Sequence, residues 1–450
     1  MVVCFPYPEG TSSALIRNKL EYKNKIMMND CMMALKQQGI KLYLNTLYPV
    51  ILKHRAQKVG KKETIEVVFF AVNIAMWRYQ GVYDLLSKEK RFNCHIVLTV
   101  FETYSRDQQA DDLKQLRAYF NENGIEYLDY DEVSGRGYDV SALINPDILF
   151  YPQPYTTVYP SEHHFRLFDN KLLCYSVYGL YVAKDSPMVF DLRFHNMAWK
   201  IYCPTAIEKN NAAKLARNHG RNWLVSGYTN LDRYCASKYV DVWKSQQNHP
   251  KRLIWAPHFT IVNDLTFVKS RTSFLWMAQL MLDVSEKYKG QLQIAFKPHP
   301  RLKSELYKHP DWGKEKTDAY YERWANGENT QLETGGFVDL FMSSDAMIHD
   351  CGSFTAEYLY VNKPVAFVCA DIAALKADHN ELGSMSLDQH YIVKNRDDVI
   401  HFIEDVVIEG HDSMKSQRTS FYEKVLRPNV TGTTSQFIVE DIKRSLGITD

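Results

Sequence analysis

Three histidines in this 450-residue sequence stand at the ends of short apolar runs: His258 after RLIWAP, His299 within FKPHP, and His349 closing AMIH. Runs of that length read as strands buried on both faces. Each imidazole is therefore expected at a strand's C-terminal end, where open α/β sheets bind ligands. An imidazole held there donates to a phosphate oxygen or moves a proton near neutral pH. Pro298 and Pro300 flank His299 and restrict its backbone, an arrangement that also serves an ordinary turn. Lys297, one position before Pro298, alternates to the other side of the strand. A histidine triplet raises the question of zinc, but no carboxylate or cysteine accompanies the three at ligand spacing, so phosphate contacts are favoured and no metal site is assigned.

The segment HDCGSFTAEYLYVNKP, from His349 to Pro364, adds a second kind of phosphate site. Asp350 and Gly352 fall in the expected turn between strand and helix, Ser353 is placed to cap the helix, and Thr355 lies in its first turn. The free N–H groups behind such a cap, with the positive end of the helix dipole, favour an anion. Glu357, one helical turn after Ser353, comes within reach of a ribose hydroxyl pair on a nucleotide whose phosphates rest at the cap. The plainer reading makes Ser353 a routine cap and Glu357 a surface charge. There is no GxGxxG after the first strand and no GxxxxGK[ST], so phosphate must be held by a helix terminus and cationic side chains. The phosphate- and nucleotide-binding candidates are Lys297, His299, His349, Asp350, Gly352, Ser353, Thr355 and Glu357, with His258 and His299 as the catalytic candidates.

These residues require a scaffold of parallel strands. After Lys62 the sequence alternates TIEVVFFAV, a helix near Trp77–Leu86, CHIVLTVF, a helix near Gln108–Glu122, then ILFYP and LLCYSVYGLYV. A second series starts at RLIWAPH and runs through a helix near residues 272–289, LQIAFKPHP, FVDLFMSS, AMIHD, a helix from Ser353 to about Val361, and PVAFVC. Alternation of this kind implies two doubly wound α/β domains facing one another. The expected division is a basic helical segment over 1–62, a first domain over 63–235, a second over 250–410, and terminal helices over 411–450 that pack back on the first.

The composition, 45% hydrophobic and 24% charged, is that of a soluble globular chain, and no apolar run is long enough to span a bilayer. The start MVVCFPYPEG lacks the features of a secretory signal, which reads as cytoplasmic. The eight cysteines show no CxxC and no paired spacing, against a disulfide framework. Residues 1–62 hold 11 Lys and Arg against 3 Asp and Glu, a net +8 that leaves −7 on the rest. That segment suits either an anionic membrane surface or a solvated helical face packed on the domain. Nucleic acid is a poor partner for a chain whose positive charge sits at one end.

Taken together, WAPH, FKPHP, SDAMIHDCGSFTAEYLYVNKP and the earlier VSGYTNLD resemble the CDP-glycerol glycerophosphotransferase family, which includes teichoic-acid and capsule polymerases. The resemblance is strongest over about residues 220–370. It implies a GT-B fold and transfer of a polyol phosphate, typically glycerol phosphate, from a CDP-activated donor to a hydroxyl of a lipid-linked or glycan acceptor, with release of CMP. It implies that His299 meets the donor pyrophosphate, that Ser353 and Thr355 hold phosphate, and that Glu357 binds ribose. No cofactor is firmly implied, and Mg2+ stays open.

The family's WHGTP-like loop, whose histidine serves as base, corresponds here to CYSVYGLYV, with Tyr178 in the histidine's place. His258 is the replacement candidate, and His163, His164 and His195 are weaker acceptor-side candidates. Two other functions fit the same architecture: a GT-B glycosyltransferase using a nucleotide sugar, and an inactive glycan-binding scaffold.

Overall fold

The structure, a computed structural model, describes residues 36–131, 135–236, 239–261, 272–352 and 354–448. Ser353 and most of the basic leading segment lie outside them. The first domain is a six-stranded parallel sheet in the order β2-β1-β3-β4-β5-β6, with β1 (Ile65–Ala71), β2 (Phe92–Leu98), β3 (Ile148–Tyr151), β4 (Leu172–Ser176), β5 (Lys200–Cys203) and β6 (Trp223–Val225). β1 shows why a continuous apolar run becomes a central strand. Ile65, Val67, Phe69 and Ala71 enter the core on one face, while Val68 and Phe70 enter the core on the other. Both faces are covered, so no polar alternation survives.

The second sheet runs β12-β11-β10-β7-β8-β9, from β7 (Lys251–Ala256), β8 (Leu292–Phe296), β9 (Thr330–Leu332), β10 (Ala346–His349), β11 (Val365–Val368) and β12 (Tyr391–Val393). Strand order reverses between β7 and β10, the position where such sheets open a crevice at their C-terminal edge. In the first sheet the reversal falls between β1 and β3. Trp255 of β7, fully buried, stacks on Phe296 of β8 at 4.9 Å between ring centroids and on Phe274 at 5.8 Å. This packing fixes the height of the loops that follow both strands.

The expected helix from Ser353 to Val361 is a single α-turn, Phe354–Glu357, continuing as a 3-10 turn, Tyr358–Val361. Asn362 ends it in the left-handed region at φ 51°, immediately before Lys363 and Pro364. So short a helix carries a weaker end charge than the sequence suggests.

The chain crosses between domains twice, once between β6 and β7 and once ahead of the last helix, Thr434–Leu446. That helix lies on the first domain: Asp441 meets Tyr202 Oη at 3.1 Å and Lys200 Nζ at 2.9 Å, and Lys443 meets Glu89 at 2.9 Å. Asp232, in the first crossing, accepts from the backbone N–H of Thr434 at 2.7 Å and of Ser435 at 2.9 Å, in the second. At the far side of the cleft, Asn380 donates to the Tyr181 carbonyl at 2.6 Å and Ala183 bridges to His379.

Candidate functional site

The three adjacent strands β10, β7 and β8 carry His349, His258 and His299 at their C-terminal ends, with β7 in the middle. Only two of the imidazoles meet. The rings of His258 and His299 lie 5.2 Å apart, edge to face, with Phe259 4.4 Å from each. The His299 backbone N–H donates to the Pro257 carbonyl at 3.1 Å, tying the two loops together. Arg301 lies over the Phe259 ring at 4.2 Å, which puts a guanidinium beside the pair.

The neighbouring backbone donates to both rings. The Arg301 N–H donates to His299 Nδ1 at 3.1 Å, and the Thr260 N–H donates to His258 Nδ1 at 3.4 Å. A ring nitrogen that accepts has no hydrogen, so in neutral His299 Nε2 carries it, while His258 Nδ1 also meets Thr260 Oγ1 at 3.0 Å, a hydroxyl that can serve as donor or acceptor. Burial, helped by the charges of His258 and Arg301, pushes the His299 pKa down to about 4. At neutral pH His299 is therefore an uncharged N–H donor.

Asp350 holds the loops rather than facing outward. Its carboxylate accepts from the His258 N–H, from the Ser273 N–H and from the Ser273 hydroxyl at 2.8 Å. One buried side chain thus joins the end of β10, the loop after β7 and the start of the helix Phe274–Lys287. Burial raises its pKa to about 6 against those hydrogen bonds. Lys297 is likewise buried, with Nζ on the Gly335 carbonyl at 2.8 Å, and desolvation lowers its pKa to about 8.

His349 turns inward. Its Nδ1 faces the Cys351 carbonyl at 3.1 Å, its Nε2 faces His390 Nε2 at 3.1 Å, and His390 Nδ1 faces the Ser386 carbonyl at 2.8 Å. Carbonyls at both ends and two imidazoles between them make three contacts that need three hydrogens. Two neutral rings bring only two. Burial pushes both rings' pKa values down, His390 to about 4, so at neutral pH one contact in the row goes without a proton.

The turn after β10 has two distinct sides. A Cβ at Gly352 would meet nothing within 4 Å among the described residues. Thr355, fully buried, gives its hydroxyl hydrogen to the Cys351 carbonyl at 3.1 Å and keeps only lone pairs, which suit no phosphate oxygen. Glu357 reaches the domain junction, where Oε1 accepts from Tyr228 Oη at 2.5 Å, and Asn230 Nδ2 donates to that same hydroxyl oxygen at 3.1 Å. Burial lifts the Glu357 pKa to about 7, with the Tyr228 hydroxyl and the Arg78 charge pulling it down.

On the acceptor side, Tyr178 lies beyond β4 with its backbone N–H on Tyr175 Oη at 3.2 Å, and burial pushes its pKa up to about 12. His163 is enclosed in the core against Thr99 Oγ1 at 2.8 Å, and His195 is enclosed beside Trp223. Desolvation lowers their pKa values to about 4 and 3. His164 is partly exposed and accepts from the Arg166 N–H at 3.2 Å. These three do not gather with Tyr178. Ser273, Tyr228 and His390 are the partners that sequence reading missed. Tyr228 sits in VSGYTNLD and Ser273 just ahead of an apolar helix, but no local signal marks His390. Among the described residues no group of three or more His, Cys, Asp or Glu is arranged to hold a metal.

The sequence profile described as CDP-Glycerol:Poly(glycerophosphate) glycerophosphotransferase matches residues 197–443, over half of the 450-residue chain. No curated protein matches the sequence. Among solved structures, a putative UDP-N-acetylglucosamine 2-epimerase from Listeria monocytogenes superposes with a TM-score of 0.54 at 16% identity, covering 86% of this chain and 98% of that one. The S. aureus MnaA-UDP structure gives 0.52 at 16% identity over 86% and 98%. The wall teichoic acid polymerase TagF, as its H548A variant, gives 0.51 at 12% identity over 96% and 98%. At these identities the likeness is one of fold, the GT-B arrangement of two facing Rossmann-like domains.

Proposed function

The chain belongs to the CDP-glycerol:poly(glycerophosphate) glycerophosphotransferase family, and from that premise we propose that it moves a polyol phosphate, glycerol phosphate above all, from a CDP-activated donor to a hydroxyl of a lipid-linked or glycan acceptor. The observation that carries this reading is the His258–His299 pair, 5.2 Å apart beside the switch point of the second sheet. The His299 Nε2–H, the His258 imidazole beside it and the backbone at Gly352 suit a pyrophosphate that lacks a Gly-rich loop.

In the proposed reaction the acceptor oxygen attacks the β-phosphorus of the donor in line. The new O–P bond forms as the bond to the bridging oxygen breaks, CMP leaves with that electron pair, and the acceptor hydroxyl's proton is lost to solvent. A loose transition state of this kind asks chiefly for positioning and for neutralisation of the leaving phosphate. His299 and His258 donate to the pyrophosphate oxygens, and Arg301 supplies positive charge at the same edge. His258, beside His299 on the same edge, serves as this second donor. Glu357 binds the ribose hydroxyls once Tyr228 releases it.

A lipid-linked acceptor places the protein at a membrane face. No helix among the described residues is long and apolar enough to cross a bilayer. Leu42, Leu47 and Val50 are 65%, 54% and 62% exposed near the start of the first domain, where Lys41 and Lys53 are also found. Apolar and basic groups together suit an anionic lipid surface.

The test is turnover across a panel of CDP-glycerol, CDP-ribitol and UDP-sugars with a short primer, read as released nucleotide and as product mass. CMP release from a CDP-polyol is expected. Turnover of UDP-sugars alone would overturn the assignment. Sedimentation with anionic vesicles, lost on deletion of residues 1–60, is expected for the membrane contact.

A further inference from the structure

Arg78 follows β1 in the first domain and is 7% exposed, yet its guanidinium is only partly hydrogen-bonded. Nε donates to the Met76 carbonyl at 3.1 Å, while Nη1, also buried, has no protein acceptor within hydrogen-bond distance among the described residues. No carboxylate of those residues lies within ion-pair distance. The Tyr178 ring lies 5.5 Å from the guanidinium carbon. A cation removed from water without a partner is costly, and a guanidinium presents a fork matched to phosphate.

The location is informative. Tyr79, the next residue, donates its hydroxyl to the Tyr151 carbonyl at the end of β3 at 2.6 Å and accepts from the Ser176 N–H at the end of β4 at 3.0 Å. These bonds pin Arg78 over the C-terminal edge of the first sheet, beside the β1/β3 reversal. Glu357, at the junction with the second domain, feels the Arg78 charge. Arg78 therefore lies on the cleft side of its sheet, as the histidine pair does on its own.

We propose that Arg78 is a phosphate-ester subsite of the first domain, its Nη1 edge receiving an anionic oxygen of substrate opposite the imidazoles of the second. The identity of the ester rests on the transferase reading above. It is either the donor's own phosphate or a phosphodiester in the acceptor, and the same variant separates the two.

The experiment uses the full chain and Arg78→Gln, with Arg78→Lys, which keeps the charge and loses the fork, should the first not fold. Ligand-free Tm is measured first, then the Tm shift with inorganic phosphate and with glycerol 3-phosphate. Titrations with CDP-glycerol and CMP, and KM for primers ending in glycerol phosphate or in neutral glycerol, complete the set. Arg78→Gln is expected to keep its ligand-free Tm, to lose the phosphate-induced shift, and to bind one ester roughly 10- to 100-fold more weakly. Weaker CDP-glycerol binding with CMP unchanged assigns Arg78 to the phosphate being transferred, and weakening of both assigns it to the phosphate shared with CMP. A raised KM confined to the phosphate-ended primer assigns it to the acceptor. Unchanged phosphate shifts, donor affinities and primer KM in the variant would overturn the subsite. Should the wild type turn over no CDP-polyol, the transferase reading fails, and the thermal shifts, which need no turnover, still decide for or against Arg78.

Discussion

Tyr228 Oη donates to Glu357 Oε1 at 2.5 Å, so a hydroxyl of the segment that leaves the first domain occupies the carboxylate proposed to grip a ribose. Nucleotide binding there has to break this bond. Tyr228→Phe removes the competitor and also leaves a buried carboxylate short of a donor. It is expected to lower stability by about 1–3 kcal/mol while tightening CMP binding several-fold, measured by denaturant titration and calorimetry. Glu357→Gln should weaken CMP binding. Weaker CMP binding in Tyr228→Phe would remove Glu357 from the ribose site.

The histidine pair acts on one pyrophosphate, so its members should not contribute independently. His299→Ala is expected to cut CMP release by about 10²- to 10³-fold with the fold intact by circular dichroism. Adding His258→Ala should cost less than it does alone. Multiplicative losses in the double variant would mean that the two rings serve separate steps.

Asp350 binds two loops and a helix start through three donated hydrogens. In Asp350→Asn one of the two oxygens becomes an NH2 facing those donors. Unfolding free energy is expected to fall by about 3 kcal/mol, together with turnover, because His258 loses its anchor. A stable variant with normal turnover would show that the anchor is dispensable.

Thr355 gives a sharper contrast with the sequence expectation. Its only hydroxyl hydrogen goes to the Cys351 carbonyl. Thr355→Val should therefore leave CMP and CDP-glycerol affinity unchanged and cost about 1 kcal/mol of stability. A roughly 10-fold loss of affinity would put the hydroxyl on the ligand after all.

Stability should peak near neutral pH, because two sets of buried groups push in opposite directions. His163, His195, His299 and His390 have folded pKa values of about 4, 3, 4 and 4, below the ordinary 6.5. The unfolded chain thus binds more protons between those limits, and stability rises with pH until about 6.5. Glu357 and Glu208 have folded values of about 7 and 8, above the ordinary 4.5. They favour the folded state while protonated, and their contribution, full below pH 4.5, declines as pH rises and is gone above about 7 and 8. Tm should accordingly fall between pH 6.5 and 8. Glu208→Gln, neutral at every pH, should flatten that decline, and an unaltered slope would rule Glu208 out as its source.

The alternation of strands and helices was legible because each central strand is covered on both faces and so reads as an unbroken apolar run. β1 and β7 are clear from IEVVFFA and RLIWA alone. β5, β6, β9 and β12 are three or four residues long and sit toward or at the sheet edges, too short for any period to show. LLCYSVYGLYV reads as one element, yet β4 stops at Ser176. Its later tyrosines, Tyr178 and Tyr181, pack their rings against the first domain's core instead of continuing the strand. Within the site, the order of His258, His299 and His349 along the chain was visible, but their rotation was not. His349 faces the core because His390, 41 positions later, meets it there. The same holds for Glu357, whose partner lies 129 positions earlier. Spacing along a sequence reports which edge a residue occupies, and long-range partners decide which way it points. Arg78 carries no motif at all, and only a buried Nη1 with no acceptor among the described residues marks it.

Asp232 fastens the two interdomain crossings to each other through the backbone of Thr434 and Ser435. Two covalent strands locked at one point act as a hinge, and any swing of the halves about it has to break the Asn380–Tyr181 contact at the far side of the cleft. Opening and closing are thereby governed at two named places, one that holds and one that must let go.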